Sequence, residues 1–285
     1  SKVVVAHFEG SARGLAMGIY MTGPAIGSVI SLALTNPMVL PLLDYSWRSV
    51  LMLWGAAAIL ASVIWCAIAS EQTTTGAPSG ATSSQLRAAA NLLSRPTVLV
   101  VLAMSVCVFL FNHSLNNWLP EILKSNGMSA VVAGYWAAIP TVVGIVGSLI
   151  IPRLATPDRR FGILISLAFA SLIASLMLHA DFGNLLIVGL ILQGVAKSSL
   201  MTVLILTLVE LPEIGERYAG LASGIFFSAA EVGGALGPLL MGMLYSPTTG
   251  FNSGLWLLTI VASLMTIGAM RLSQNNRRSQ AKITG

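Results

Sequence analysis

Apolar positions run along this chain in long blocks separated by short polar breaks, without the strict alternation of a half-buried strand. Eight blocks can be marked, over residues 15–34, 49–69, 97–119, 131–151, 161–178, 185–208, 219–245 and 255–270. Most approach or exceed about 20 residues, enough for a helix rising about 1.5 Å per residue to cross a hydrocarbon core about 30 Å thick. Hydrocarbon offers no water to backbone N–H and C=O groups, so each block is predicted to be a helix. The expectation is an all-α membrane protein with eight transmembrane helices.

Composition agrees with the pattern. Of 285 residues 55% are hydrophobic and 9% charged, whereas an ordinary soluble domain is about a quarter charged. The formal charge of +5 is scattered between the apolar blocks and forms no basic cluster, so nucleic acid is not an expected partner and the lipid bilayer is. Alternating sides at each crossing puts twelve lysines and arginines on the starting side and only Arg48 and Lys124 on the other. Positive loops stay inside, which predicts a multi-pass protein of the cell (inner) membrane with both ends of this chain cytoplasmic. Trp47, Trp118 and Trp256 fall near the predicted outer ends, where indole rings favour the interface. Cys66 and Cys107 sit inside apolar blocks without metal-ligand spacing and read as small buried residues. No metal and no cofactor is expected.

Residues 71–84 form a Gly/Ser/Thr-rich linker, and residues 85–94 are expected to lie on the membrane surface. Two blocks precede this boundary and six follow. Gly14-Leu15-Ala16 and Gly18 match Gly220-Leu221-Ala222 and Gly224, and Gly27 matches Gly233, all at an offset of 206. The copies are the first and seventh blocks, which cross in the same direction, as in parallel repeats about an axis along the membrane normal. A complete first half would then have six helices, so four are expected before Ser1. The domain reading is 1–70 as the last two helices of an N-terminal bundle, 71–96 as a cytoplasmic linker, and 97–285 as a six-helix C-terminal bundle with a cytoplasmic tail.

These features make the chain resemble the major facilitator superfamily, whose two six-helix halves enclose a central cavity. Ser11 to Gly18 is similar to the entry to that family's fifth helix, and Trp118-Leu119-Pro120-Glu121 with Gly127-Met128-Ser129 resembles its seventh-to-eighth connection. The eight blocks thereby correspond to helices 5–12. Pro152-Arg153-Leu154-Ala155 with Asp158-Arg159-Arg160 looks most like the cyanate-transporter-like and anion symporter branches. There are departures. Of the cytoplasmic motif after the eighth helix only Asp158-Arg159-Arg160 remains, and Gly23-Pro24-Ala25-Ile26-Gly27 resembles an antiporter motif with Gly18 one position off its spacing.

Lys197 lies mid-block, where a charge costs about 3 kcal/mol on insertion scales and so needs a partner or a wet cavity. Gln193 is four residues earlier on the same face, with Ser198, Ser199 and Thr202 adjoining. Glu231 is the acid inside an apolar block, at about the same depth, and stands as proton-coupling group or as static partner of Lys197. Ser105, Phe109, Asn112 and Asn116 recur on one helical face, with His113 and Asn117 beside it. The resemblance implies that these helices line the cavity, which makes Lys197, Gln193, Asn112, Asn116 and His113 candidate substrate-binding residues. Interhelical hydrogen bonding is the alternative use of the amides. His7 and His179 fall in loops, with no role expected.

No His-Glu-x-x-His, nucleophile turn or phosphate loop occurs, so an enzyme is not expected. The reading is a secondary active transporter of a small anionic solute, coupled to protons in symport, working as a monomer by alternating access. The alternatives are an efflux antiporter and a receptor of the same fold.

Overall fold

The computed structural model describes residues 34–68, 89–180, 183–209 and 214–284, together with Gly27, Ile30, Ser31 and Leu211. The first expected span, the first copy of the repeat, the 71–84 linker and His7 lie outside the described residues, apart from Gly27 and the few positions up to Leu34. Seven long helices are described: α1 (Trp47–Ile68), α2 (Pro96–Ser125), α3 (Ala130–Leu154), α4 (Arg160–Met177), α5 (Asn184–Val209), α6 (Gly215–Met243) and α7 (Asn252–Thr284). All seven are long and apolar enough to cross a membrane. Among the described residues the extended pairing is limited to one bridge between Ser246 and Gly250.

The chain divides into two compact units, residues 1–79 and 80–285. In the first, a π-helical turn at Thr35–Val39 leads into a short helix at Leu40–Leu42. Pro37 and Pro41 both lack the N–H that an α-helical ladder needs, which favours a wider turn here. Asp44 and Tyr45 then adopt positive φ of 49° and 58° to reverse the chain into α1. The Trp54 indole donates to the Thr35 hydroxyl at 3.1 Å and ties α1 to the π-helical turn.

In the second unit α2 packs most extensively on α6, α3 on α5, and α4 on both α5 and α7, while α7 also touches α2. Between helices in a membrane the attraction is dispersion and hydrogen bonding rather than water exclusion, so close approach decides the pairs. Leu115, Ile122, Leu123, Leu164, Leu190 and Leu200 are fully enclosed at the centre. The outward faces are apolar stripes at helical spacing: Val131, Tyr135, Val142 and Val146 on α3, and Trp256, Ile260, Leu264 and Ile267 on α7, are all exposed. Such stripes suit contact with lipid tails.

Several boundaries differ from expectation. α2 continues past Leu119 through Pro120 to Ser125, because a proline in the closing turns removes one hydrogen bond without ending the helix. It stops at Gly127, whose φ is 98°, where Met128 N–H donates to Leu123 O at 3.2 Å and Gly127 N–H to Lys124 O at 2.9 Å. That pair of bonds is a Schellman closure, which a left-handed glycine permits. α7 runs on to Thr284 instead of ending near Met270, since its polar tail contains neither proline nor glycine and is rich in good helix formers. His179 lies in the turn after α4, as expected, but is not idle: its ring packs against Trp256 with centroids 4.7 Å apart and planes tilted by 45°, and its Nε2 lies 3.5 Å from Thr259 Oγ1.

Candidate functional site

The stripe read on α2 divides by depth in the packing. Ser105 is fully buried, donating to Leu102 O at 2.8 Å and to Phe226 O at 3.4 Å, so it joins α2 to α6. Asn112 and His113 are half-buried, and Asn116 and Asn117 are exposed. Toward its C-terminal end the stripe therefore leaves the core and opens outward.

Lys197 of α5 meets this open part. Its Nζ donates to Asn116 Oδ1, while Asn112 Nδ2 donates to the Lys197 backbone carbonyl at 3.2 Å. Asn112 and Asn116 are one turn apart, so the two amides hold the main chain and the ammonium of the same residue. An amide oxygen satisfies one of three ammonium donors without neutralising the charge. Lys197 itself remains half-exposed. Among the described residues the ion pair formed is Glu121–Lys124, at 2.9 Å on the surface of α2, and Lys197 is not bridged to Glu231.

Glu231 is exposed on α6. Its Oε2 and the His113 ring flank Gly234: a Cβ built there would stand 3.1 Å from Oε2 and 3.4 Å from both Cε1 and Nδ1 of His113. Phe109 stacks on the imidazole with centroids 5.4 Å apart and planes at 17°, and Phe227 approaches Phe109 edge-on at 6.5 Å. His113 and Asn116 are three residues apart on α2, so His113 and the Lys197 clamp share one face of that helix.

Prolines mark both places. Pro120 and Pro238 stand four residues after Asn116 and Gly234, and neither can supply the N–H that those carbonyls would receive in a regular helix. The Pro238 carbonyl in turn accepts the Trp118 indole at 2.9 Å. This offset is readable in the sequence and is the signal that points to Gly234.

Gln193 lies elsewhere. It is 1% exposed, and its Oε1 has no hydrogen-bond partner, as is also true of the hydroxyls of Ser199 and Ser114. Ser198 Oγ donates to Gly144 O at 2.6 Å, and Thr202 Oγ1 to Ser198 O at 3.2 Å, so these hydroxyls fasten backbone rather than face the ammonium. The structure thus brings together Lys197, Asn112 and Asn116, while His113 and Glu231 each border the space beside Gly234 without a hydrogen bond or ion pair between them, and Gln193 joins neither set. Among the described residues no cluster of three or more His, Cys, Asp or Glu side chains is placed to hold a metal ion.

Known proteins give the same family. Residues 1–180 match the model of the Major Facilitator Superfamily. The chain is 27% identical over 268 residues to the uncharacterized transporter YycB of Bacillus subtilis (strain 168), covering 93% of this chain and 64% of that protein. It is 23% identical over 313 residues to the D-galactonate transporter of Escherichia coli O6:H1, covering 95% of this chain and 70% of the relative. It is 31% identical over 173 residues to the quinolone resistance transporter of Acinetobacter baumannii, covering 58% and 38%. The relatives are transporters and not enzymes, and the chain belongs to the major facilitator superfamily.

Proposed function

We propose that the protein is a secondary active transporter that carries a small anionic solute together with protons by alternating access. The observation that carries this is Lys197: a cation in the middle of a membrane span, half-exposed, whose ammonium rests on the neutral amide of Asn116 rather than on an acid. An ammonium held by an exchangeable neutral acceptor is poised for a carboxylate, which offers a stronger, charge-assisted bond. Asn116 would share the solute and Asn112 would fix the backbone beneath it, with Glu231 as the proton-coupling group. The likeness to a D-galactonate transporter supports an anionic cargo.

In this reading the chain has eight transmembrane helices corresponding to helices 5–12 of a twelve-helix fold. Residues 1–70 end the N-terminal bundle, 71–96 link, and 97–285 form the C-terminal bundle. The protein is a monomer in the inner membrane with both ends of this chain cytoplasmic. The test is uptake of D-galactonate by liposomes holding the intact protein, with an inward proton gradient imposed. Accumulation that follows the gradient in the wild type, is replaced by gradient-independent exchange in Glu231→Gln, and falls about 100-fold in Lys197→Ala is the expected result. Wild-type accumulation by Lys197→Ala would overturn the anion site, and unchanged coupling in Glu231→Gln would remove that residue's role.

Efflux of small molecules is the second reading. It is favoured by the likeness to the quinolone resistance transporter and by the Gly23 to Gly27 motif. Proton-driven extrusion of norfloxacin from the same liposomes, unaffected by Lys197→Ala, would select it.

A further inference from the structure

Most of the exposed apolar bulk of α6 lies on one stripe, Val232, Leu236, Leu239 and Met243, at the spacing of a lipid-facing side. Phe227 stands off that stripe. It is 38% exposed, yet it lies one turn before Glu231 and about 150° around the helix from the stripe. We infer that Phe227, with Phe109 and His113 behind it, forms an aromatic wall for a flat ring on the solute, so that the site prefers an aryl monocarboxylate; this rests on the reading of Lys197 as the anion site and narrows it. Phe227 meets Phe109 edge-on at 6.5 Å, and Phe109 in turn stacks on His113 at 5.4 Å. A Cβ built at Gly224, one turn before Phe227, would meet no neighbouring described atom within 4 Å, so open space adjoins the ring.

The lengths agree. Asn116, which holds the ammonium, stands seven residues after Phe109, so ammonium and wall are about 10 Å apart along α2. A charge-assisted bond takes about 3 Å of that, and the separation of two packed ring centroids about 5 Å. What remains, about 3 Å, is the reach from a carboxyl carbon to the middle of a ring bonded directly to it. Polar groups on this face are largely engaged. Asn112 Nδ2 donates to Lys197 O at 3.2 Å, Asn117 Nδ2 to His113 O at 2.8 Å, and the hydroxyls of Ser198 and Thr202 to backbone carbonyls. A polyhydroxylated acid would bring hydroxyls that find few partners here, and each one desolvated without a hydrogen bond weakens binding. A ring brings none. The cation described on this face is Lys197, and the carboxylate of Glu231 opposes a second negative charge, which selects one carboxylate over two.

The test is calorimetric binding to the intact protein in lipid nanodiscs, with benzoate, cyclohexanecarboxylate and D-galactonate as probes of equal charge. Benzoate should bind about fivefold more tightly than cyclohexanecarboxylate, whose ring is not flat, and about tenfold more tightly than D-galactonate. Phe227→Leu, checked for an unchanged melting temperature, should erase the advantage of benzoate while both ring acids still bind, and Phe227→Tyr should keep it. Equal binding of the two ring acids by the wild type, or an unchanged ratio in folded Phe227→Leu, overturns the wall. Lys197→Ala scores the anion site apart: weaker binding of all three acids leaves both readings standing, whereas benzoate bound as tightly as by the wild type, and still ahead of cyclohexanecarboxylate, keeps the wall and removes the anion site.

Discussion

α2 meets α6 and α5 in opposite ways. Against α6 the contact is backbone on backbone: a Cβ at Gly237 would lie 2.5 Å from Leu110 O, and one at Gly233 would run into Val106 O. Against α5 the contact is made by side chains, Asn112 and Asn116 reaching the carbonyl and the ammonium of Lys197. The first seam has no slack and fixes α2 and α6 as one body. The second rests on two side-chain hydrogen bonds, which in the proposed function a solute would replace. A carrier needs both, a rigid frame and a contact that exchanges partners within it.

The sharpest break is on the tight seam. Gly233→Val should cost about 3 kcal/mol or more through overpacking against α2 backbone, seen as loss of folded protein in detergent by thermal unfolding. On the polar seam the same fold should survive while function falls. Lys197→Ala should lower D-galactonate uptake about 100-fold, matching the few kcal/mol lost with a charge-assisted partner, and Lys197→Arg should restore part of it. Asn116→Ala should raise the half-saturation concentration about tenfold with a smaller change in maximal rate, measured in the same liposomes. Smallest is Ser198→Ala, which removes the 2.6 Å bond from α5 to Gly144 O on α3. It should cost about 0.6 kcal/mol of stability and leave half-saturation unchanged. Should Asn116→Ala unfold the protein as Gly233→Val does, the two seams would not differ in the way described.

The membrane spans were legible because hydrocarbon demands long apolar helices, and seven of them are described where the apolar blocks lie. Helical spacing also put Asn112 and Asn116 on one face of α2. It did not say which helix would oppose them, because periodicity gives an angle around one axis and not the neighbour on that side. Depth counting had the same limit. Lys197 and Glu231 were placed near one height, yet they serve different contacts of α2, on α5 and α6. Gln193 shared a face with Lys197 by spacing, but α5 is packed by both α3 and α4, and the turn bearing Gln193 is enclosed. Gly234 carried no chemistry of its own to notice; only the proline after it gave a hint.

The indole of Trp118 gives the molecule a built-in gauge. Its N–H is tethered to the Pro238 carbonyl, one turn beyond Gly234, so any parting of α2 from α6 during a turnover would strip the ring of that acceptor. Fluorescence from a variant retaining this tryptophan alone should then keep one colour through loading and release if the two helices travel as a unit. A cycling emission wavelength would instead reveal that the frame itself breathes.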